Sequence, residues 1–157
     1  MKRRKFVATT GIVAAGICTC GPGMNSCSMI TGVSNMPEVS EESYTIDGNQ
    51  IQIDLTLVPE LQEIGGSVKL KHGNGDEELI KVLIARRGEN EYLSIENRCT
   101  HGGREIAYDH ELQCLQCVSV SHSKFDLQGN VTGGPAPGPL TVYQNILKGN
   151  SLVIDLR

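Results

Sequence analysis

The stretch CTHGGREIAYDHELQCLQCVSVSHSKFD, residues 99–126, carries four side chains of metal-binding type in two pairs. One residue separates Cys99 from His101, fifteen separate His101 from Cys117, and four separate Cys117 from His122. Two Cys–His pairs on two loops of one domain are metal-ligand chemistry. Thiolates suit soft or electron-rich metals, and imidazoles suit iron or zinc. A tetrahedral zinc site from all four residues and an iron centre with mixed sulfur and nitrogen ligation are both open at this point. Two further residues in the stretch compete for a role. His110, in AYDHEL, reads as a polar turn residue. Cys114 forms Cys-x-x-Cys with Cys117, a zinc or redox-dithiol spacing, but residues three apart on a strand face opposite ways. Cys114 therefore reads as a small packed side chain.

Moving outward, the flanks alternate with period two. In IQIDLTL, Ile51, Ile53, Leu55 and Leu57 are spaced as on a half-buried strand. Gly65-Gly66 breaks the chain before SVKLK. Residues 78–86 (ELIKVLIAR) and 91–97 (EYLSIEN) flank Arg87-Gly88-Glu89-Asn90 as a hairpin. Leu112–Cys117 reads as a short strand, and Lys124–Val131 closes around Gln128-Gly129-Asn130. Leu140–Leu147 and Ser151–Leu156 pair across Lys148-Gly149-Asn150. His72, in KHGNG, reads as a solvated turn. No helical stripe of any length interrupts this pattern. The expectation is an all-β fold, a small antiparallel barrel or sandwich of about eight to ten short strands, with the ligand loops forming a metal-binding subdomain. At 157 residues the chain holds one such domain comfortably and not two.

The first twenty residues, MKRRKFVATTGIVAAGICTC, differ in kind. A charged start precedes an apolar run from Phe6 to about Ile17, too short to span a bilayer and of the length of a secretory h-region. Arg3-Arg4, then Lys5 and Phe6-Val7, resembles the twin-arginine export signal, with Lys2 where that signal usually has Ser or Thr. Residues 1–20 are accordingly read as a signal segment, 21–42 as a linker, and 43–157 as the folded domain. Cys20 leaves room for a membrane tether at the N-terminus, although Ile17-Cys18-Thr19-Cys20 makes a poor lipidation site. Four of the fourteen basic residues lie among the first five positions, so the remainder is more acidic than the net charge of −4 suggests. That surface repels phosphate backbones, which argues against nucleic acid. A redox partner with a basic surface would complement it.

The motifs of residues 99–126, taken with GGPAPGPL at 133–140 and the opening strands IDLTLVPELQEIGGSVKL, resemble the Rieske iron–sulfur family over roughly residues 50–157. The resemblance implies a [2Fe-2S] cluster, with Cys99 and Cys117 on a buried iron and His101 and His122 on an outer one. Two neutral imidazoles in place of two thiolates raise the reduction potential, to roughly −150 to +300 mV from about −400 mV. Ser123 would donate to a cluster sulfide, and Pro135 and Pro137 would stiffen a third loop over the site. Two departures matter. The family's second loop is Cys-x-x-His-Gly-Ser-x-Phe, and here Val120 falls where the histidine belongs, so His122 ligates only if the loop absorbs a net insertion of one residue. The cysteine pair that crosslinks the loops in the high-potential branch is replaced by Arg104 and Ser119, which resembles the ferredoxin-like branch. The function implied is a stand-alone electron carrier, or a small oxidoreductase subunit without its own substrate site, exported across the cytoplasmic membrane and passing electrons to a partner protein. The rival is a Rieske-fold scaffold or binding module that is cluster-free or holds zinc.

Overall fold

The computed structural model describes residues 34–73 and 79–157. The signal segment 1–20 and linker residues 21–33 lie outside the described residues. Eleven strands are found among the described residues: β1 (Tyr44–Asp47), β2 (Gln50–Asp54), β3 (Ser67–His72), β4 (Ile80–Arg86), β5 (Tyr92–Glu96), β6 (Ile106–Asp109), β7 (Cys114–Cys117), β8 (Lys124–Phe125), β9 (Val131–Gly133), β10 (Gln144–Lys148) and β11 (Ser151–Asp155). They form three antiparallel sheets, in the orders β1-β2-β11-β10, β3-β4-β5 and β6-β7-β8-β9. The all-β expectation holds.

The β3-β4-β5 sheet is the middle layer, which explains the unbroken apolar run in β4. Val82 and Ile84 of β4 join Val68 and Leu70 of β3 against Ile51, Ile53, Leu152 and Ile154 from the first sheet. Leu83 and Ala85, on the opposite face, join Leu93 and Ile95 of β5 against Ile106, Leu115 and Phe125 from the third sheet. A strand covered on both sides needs apolar residues at every position rather than at alternate ones. Cys99 and Cys117 belong to this second core.

Four local features differ from the sequence reading, and in one of them His72, read as a solvated turn, ends β3 opposite Ile80 with its Nδ1 3.2 Å from Tyr44 Oη. The first strand run stops at Asp54, because the Asp54 carboxylate accepts from Thr56 N (2.9 Å) and Thr56 Oγ1 (2.6 Å) and turns Leu55–Leu57 into a 3-10 turn. Leu57 is exposed as a result. Strand β6 was not foreseen, since IAYD is short and sits among charged residues. It pairs with β7 through a turn in which Asp109 Oδ1 accepts from Leu112 N (2.9 Å) and Gln113 takes φ 49°. His110, expected as a turn residue, accepts at Nδ1 from Tyr108 Oη (2.9 Å), and its ring lies against Gly65. Finally, the segment read as linker up to residue 42 is packed from Ser34 onward. Lys69 N donates to Pro37 O and Val39 N donates to Lys69 O, both at 2.9 Å, extending the edge of β3.

Candidate metal centre

Three loops meet at one end of the third sheet. The first, residues 97–105, runs from β5 to β6. Its base is fixed by Asn97, buried, whose Oδ1 accepts from Ile106 N at 2.7 Å. Cys99 N donates to Arg104 O (2.7 Å) and Gly103 N donates to Cys99 O (2.8 Å), so residues 99–104 form a tight turn, with Gly103 at φ 67°. The second loop leaves β7 at Cys117. Cys117 N donates to Ser123 O (2.8 Å) and His122 N to Ser119 O (3.1 Å), which folds 117–123 back on itself. The third is the Gly133–Leu140 loop. Gly134, at φ 83°, lies so close to the second loop that a Cβ there would meet Ser123 Cα at 2.6 Å and His122 O at 3.0 Å. Thr100 Oγ1 donates to Gly138 O at 2.8 Å, tying the first loop to the third. The expected third loop over the site therefore touches both others.

Cys99 and Cys117 are brought together. Both are buried in the second core and free of disulfides, and they lie near enough for Cys99 to influence the ionisation of Cys117. Burial pushes the Cys117 thiol up; hydrogen bonds from Ser119 pull it down, and Cys99 raises it further. Such a thiol stays protonated until a cation draws it to the thiolate form. Ser123 is fully buried, and its Oγ has no partner among the described residues. Asn97 Nδ2 is likewise buried and unpartnered. An orphaned buried donor costs free energy, and one of them on each of the two loops that carry the buried thiols fits a sulfur-rich acceptor there.

The histidines sit differently. His101 is exposed on the first loop, and His122 is half-buried at φ 43°. Gln116 Nε2 donates to His122 Nδ1 at 3.0 Å. Among the described residues no three of the His, Cys, Asp and Glu side chains are gathered as a metal-holding group. The structure thus buries the two cysteines in one core and leaves the imidazoles of the same loops exposed or half-buried. Val120 projects into solvent, with 78% of its surface exposed. Gln116 was missed by the sequence reading; its place on β7, one residue before Cys117, was the available clue. Cys114 is half-buried and its thiol is pushed up by burial.

The sequence profile of the Rieske [2Fe-2S] domain matches residues 57–144. The chain belongs to the Rieske [2Fe-2S] domain family. The matched span contains all three loops of this Rieske domain, and the cofactor of the family is the [2Fe-2S] cluster, which serves electron transfer. Among solved structures the Rieske domain is similar to the ferredoxin of carbazole 1,9a-dioxygenase from Nocardioides aromaticivorans IC177, at 18% identity and a TM-score of 0.50, covering 62% of this chain and 93% of that one. It is also similar to the plasma membrane Rieske protein PetC3 from Synechocystis PCC 6803, at 24% identity and a TM-score of 0.44, covering 55% of this chain and 85% of that one. No curated protein matches the sequence.

Proposed function

We propose that this chain is an exported one-electron carrier whose cluster is held by Cys99 and Cys117 on an inner iron and by His101 and His122 on an outer one. When bound, the cluster supplies a one-electron couple that side chains alone lack. The observation that carries the reading is the burial of Cys99 and Cys117 together in the second core, with the orphaned Ser123 hydroxyl on the loop that Cys117 begins. The second core, with Leu115 and Phe125 fully buried, excludes water from the thiol side. Ser123 Oγ and Asn97 Nδ2 offer hydrogen bonds to sulfur, which raise a potential. His122 Nδ1 accepts from Gln116 Nε2 here, so that hydrogen bond has to open before this nitrogen can hold iron. The exposed His101 and Val120 put this end of the molecule toward a partner protein, and the acidic chain favours a basic partner. Export rests on Arg3-Arg4 and the apolar run after it, and the N-terminus is the place for a membrane tether. Among the described residues no helix is long and apolar enough to cross a membrane.

Anaerobic purification of the full chain tests the reading. Visible absorbance, with iron and labile sulfide in equal amounts, is the expected result, and Cys99→Ala and Cys117→Ala should abolish it. His122→Ala should alter the paramagnetic resonance of the reduced cluster or remove it. A colourless protein after reconstitution, or one loaded with zinc alone, overturns the electron-transfer role. An unchanged resonance in His122→Ala overturns the assignment of that ligand.

A further inference from the structure

A buried ion-pair cluster lies beneath the cysteine loops. Glu105 is 7% exposed, and both of its carboxylate oxygens have partners. Oε2 accepts from Ser34 N (2.7 Å), Ser34 Oγ (2.8 Å) and Lys69 Nζ (3.2 Å), and Oε1 faces Lys71 Nζ at 3.1 Å. Lys69 Nζ also donates to Ser34 O at 3.1 Å. Ser34 and Lys69 are themselves buried. A buried carboxylate survives only when paired and hydrogen-bonded, and this one is held by two ammonium groups of β3 and by the segment that leads in from the N-terminus.

The main chain beside Glu105 carries both cysteine loops. Arg104 O accepts from Cys99 N at 2.7 Å, and Glu105 O accepts from Val118 N at 3.1 Å. Val118 follows Cys117 directly. Any shift of residues 104–105 therefore moves both thiols. The entering segment is fixed in turn by its pairing with β3, and Met36 packs against the second core.

We propose that Glu105 is a positioning residue for the cluster, and that residues 34–39 belong to the cluster-binding unit as the clamp that holds Glu105 in place. The inference rests on the ligand reading above for its purpose, since it assigns Glu105 the task of setting the spacing between Cys99 and Cys117. It adds that the segment joining the exported or tethered N-terminus to the domain is mechanically continuous with the site. A pull on, or a loss of, that segment reaches the thiols through one carboxylate.

The test uses the full chain, first without cluster. Glu105→Gln keeps shape and an acceptor but removes the charge; Ser34→Ala removes one donor and leaves both lysines. Alkylation of each cysteine is followed by mass spectrometry of the peptides, with Cys114 on the same sheet as an internal reference. Cys99 and Cys117 should react about tenfold faster in Glu105→Gln, the change expected when a charge-assisted hydrogen bond is lost from a local opening equilibrium. Ser34→Ala should give a smaller rise, and Cys114 should keep its wild-type rate in both. In the loaded protein the same order should appear in the rate of iron release to a chelator. Unchanged rates at Cys99 and Cys117 overturn the proposal, and so does an equal rise at Cys99, Cys114 and Cys117, which marks general loosening. A wild-type chain that takes up no iron would sink the electron-carrier reading instead, while the thiol rates would still decide whether the clamp exists.

Discussion

The core between the first sheet and the middle layer, and the loop unit at the end of the third sheet, are built from different interactions. In the former, Ile51, Ile53, Leu61, Leu70, Ile84, Leu152 and Ile154 are almost wholly removed from water. Its strands pair in continuous register, β11 lying against β2 from Ser151–Asp54 to Asp155–Gln50. Burial of apolar area holds it, with many contacts contributing in parallel. The loop unit has Phe125 and Leu115 beneath it, but its shape comes from single polar contacts: Cys99 N to Arg104 O, Cys117 N to Ser123 O, Thr100 Oγ1 to Gly138 O, and the carboxylate of Glu105. Strand β8 is two residues long, and the register shifts where it meets β9. The difference teaches that the base holds the stability of the whole domain through many apolar contacts, whereas the loop unit takes its shape from single polar ones. A site that must fix a few atoms closely is supported by such specific contacts.

The largest effect should come from the base. Ile53 of β2 is fully buried between Tyr44 and Leu152 as strand neighbours. Ile53→Ala should lower global stability by about 2–5 kcal/mol, measured by urea denaturation of the cluster-free protein. The transition should move as a whole, with Cys114, Cys99 and Cys117 becoming reactive together. Early reactivity of the two ligand thiols alone would break the division drawn between base and loops.

The base was also the part most legible in the sequence. Alternation at Ile51 and Ile53 marked β2, and the hairpin at Arg87–Asn90 placed β4 and β5, because burial on a pleated surface writes itself into every second residue. Even the misjudged stretch has a local cause: the alternation runs through Leu55 and Leu57, but the Asp54 side chain diverts the chain after the strand. For the loops, spacing singled out Cys99, His101, Cys117 and His122, of which the two cysteines share the second core. Nothing in the sequence announced Glu105. It stands among charged residues in a loop, where a solvated side chain is the ordinary outcome, and its partners lie 34 to 71 positions away in the chain. Gln116 escaped although its partner His122 is only six positions on, because nothing in the local pattern marks which side chain meets that ring. Contacts made once, across long separations, leave no period to read.

The next effect distinguishes the loop unit by pH. Burial alone would raise the Glu105 carboxyl, but hydrogen bonds from Ser34 and pairing with Lys71 and Lys69 overcome it and bring the pKa to about 2 from an ordinary 4.5. Burial likewise opposes the charge on Lys71, and Glu105 and Glu38 together raise its pKa. A carboxyl whose folded value lies below its unfolded one stabilises fully above the unfolded value and loses that contribution as pH falls through the folded value. For Glu105 the window runs from about 4.5 down to about 2. At one pKa unit per ~1.4 kcal/mol, the contribution is on the order of 3 kcal/mol. The stability of wild-type protein without cluster should therefore fall toward that of Glu105→Gln as the pH is lowered across this window. A constant gap between the two would show that the carboxylate charge is not what holds the clamp.

The smallest effect on global stability should fall closest to the site. Gly134 takes φ 83°, where a side chain costs about 1–3 kcal/mol. Its missing Cβ is also what lets the third loop approach the second, since a methyl would stand 2.6 Å from Ser123 Cα. Both atoms belong to the main chain or are rigidly fixed to it, so Gly134→Ala must push the loops apart rather than turn a side chain aside. The base shares none of these contacts, and its denaturation midpoint should move little. Displacement of Ser123 would move the buried hydroxyl proposed to donate to sulfur, so the cluster should show a lower midpoint potential and faster iron release to a chelator than wild type. Gly138→Ala supplies the contrast on the same loop, because no atom lies within 4 Å of the Cβ it would add. If Gly138→Ala lowers the potential as much as Gly134→Ala, close approach of the loops is not what tunes the site. If Gly134→Ala instead shifts the whole denaturation curve, the base and the loop unit unfold as one body.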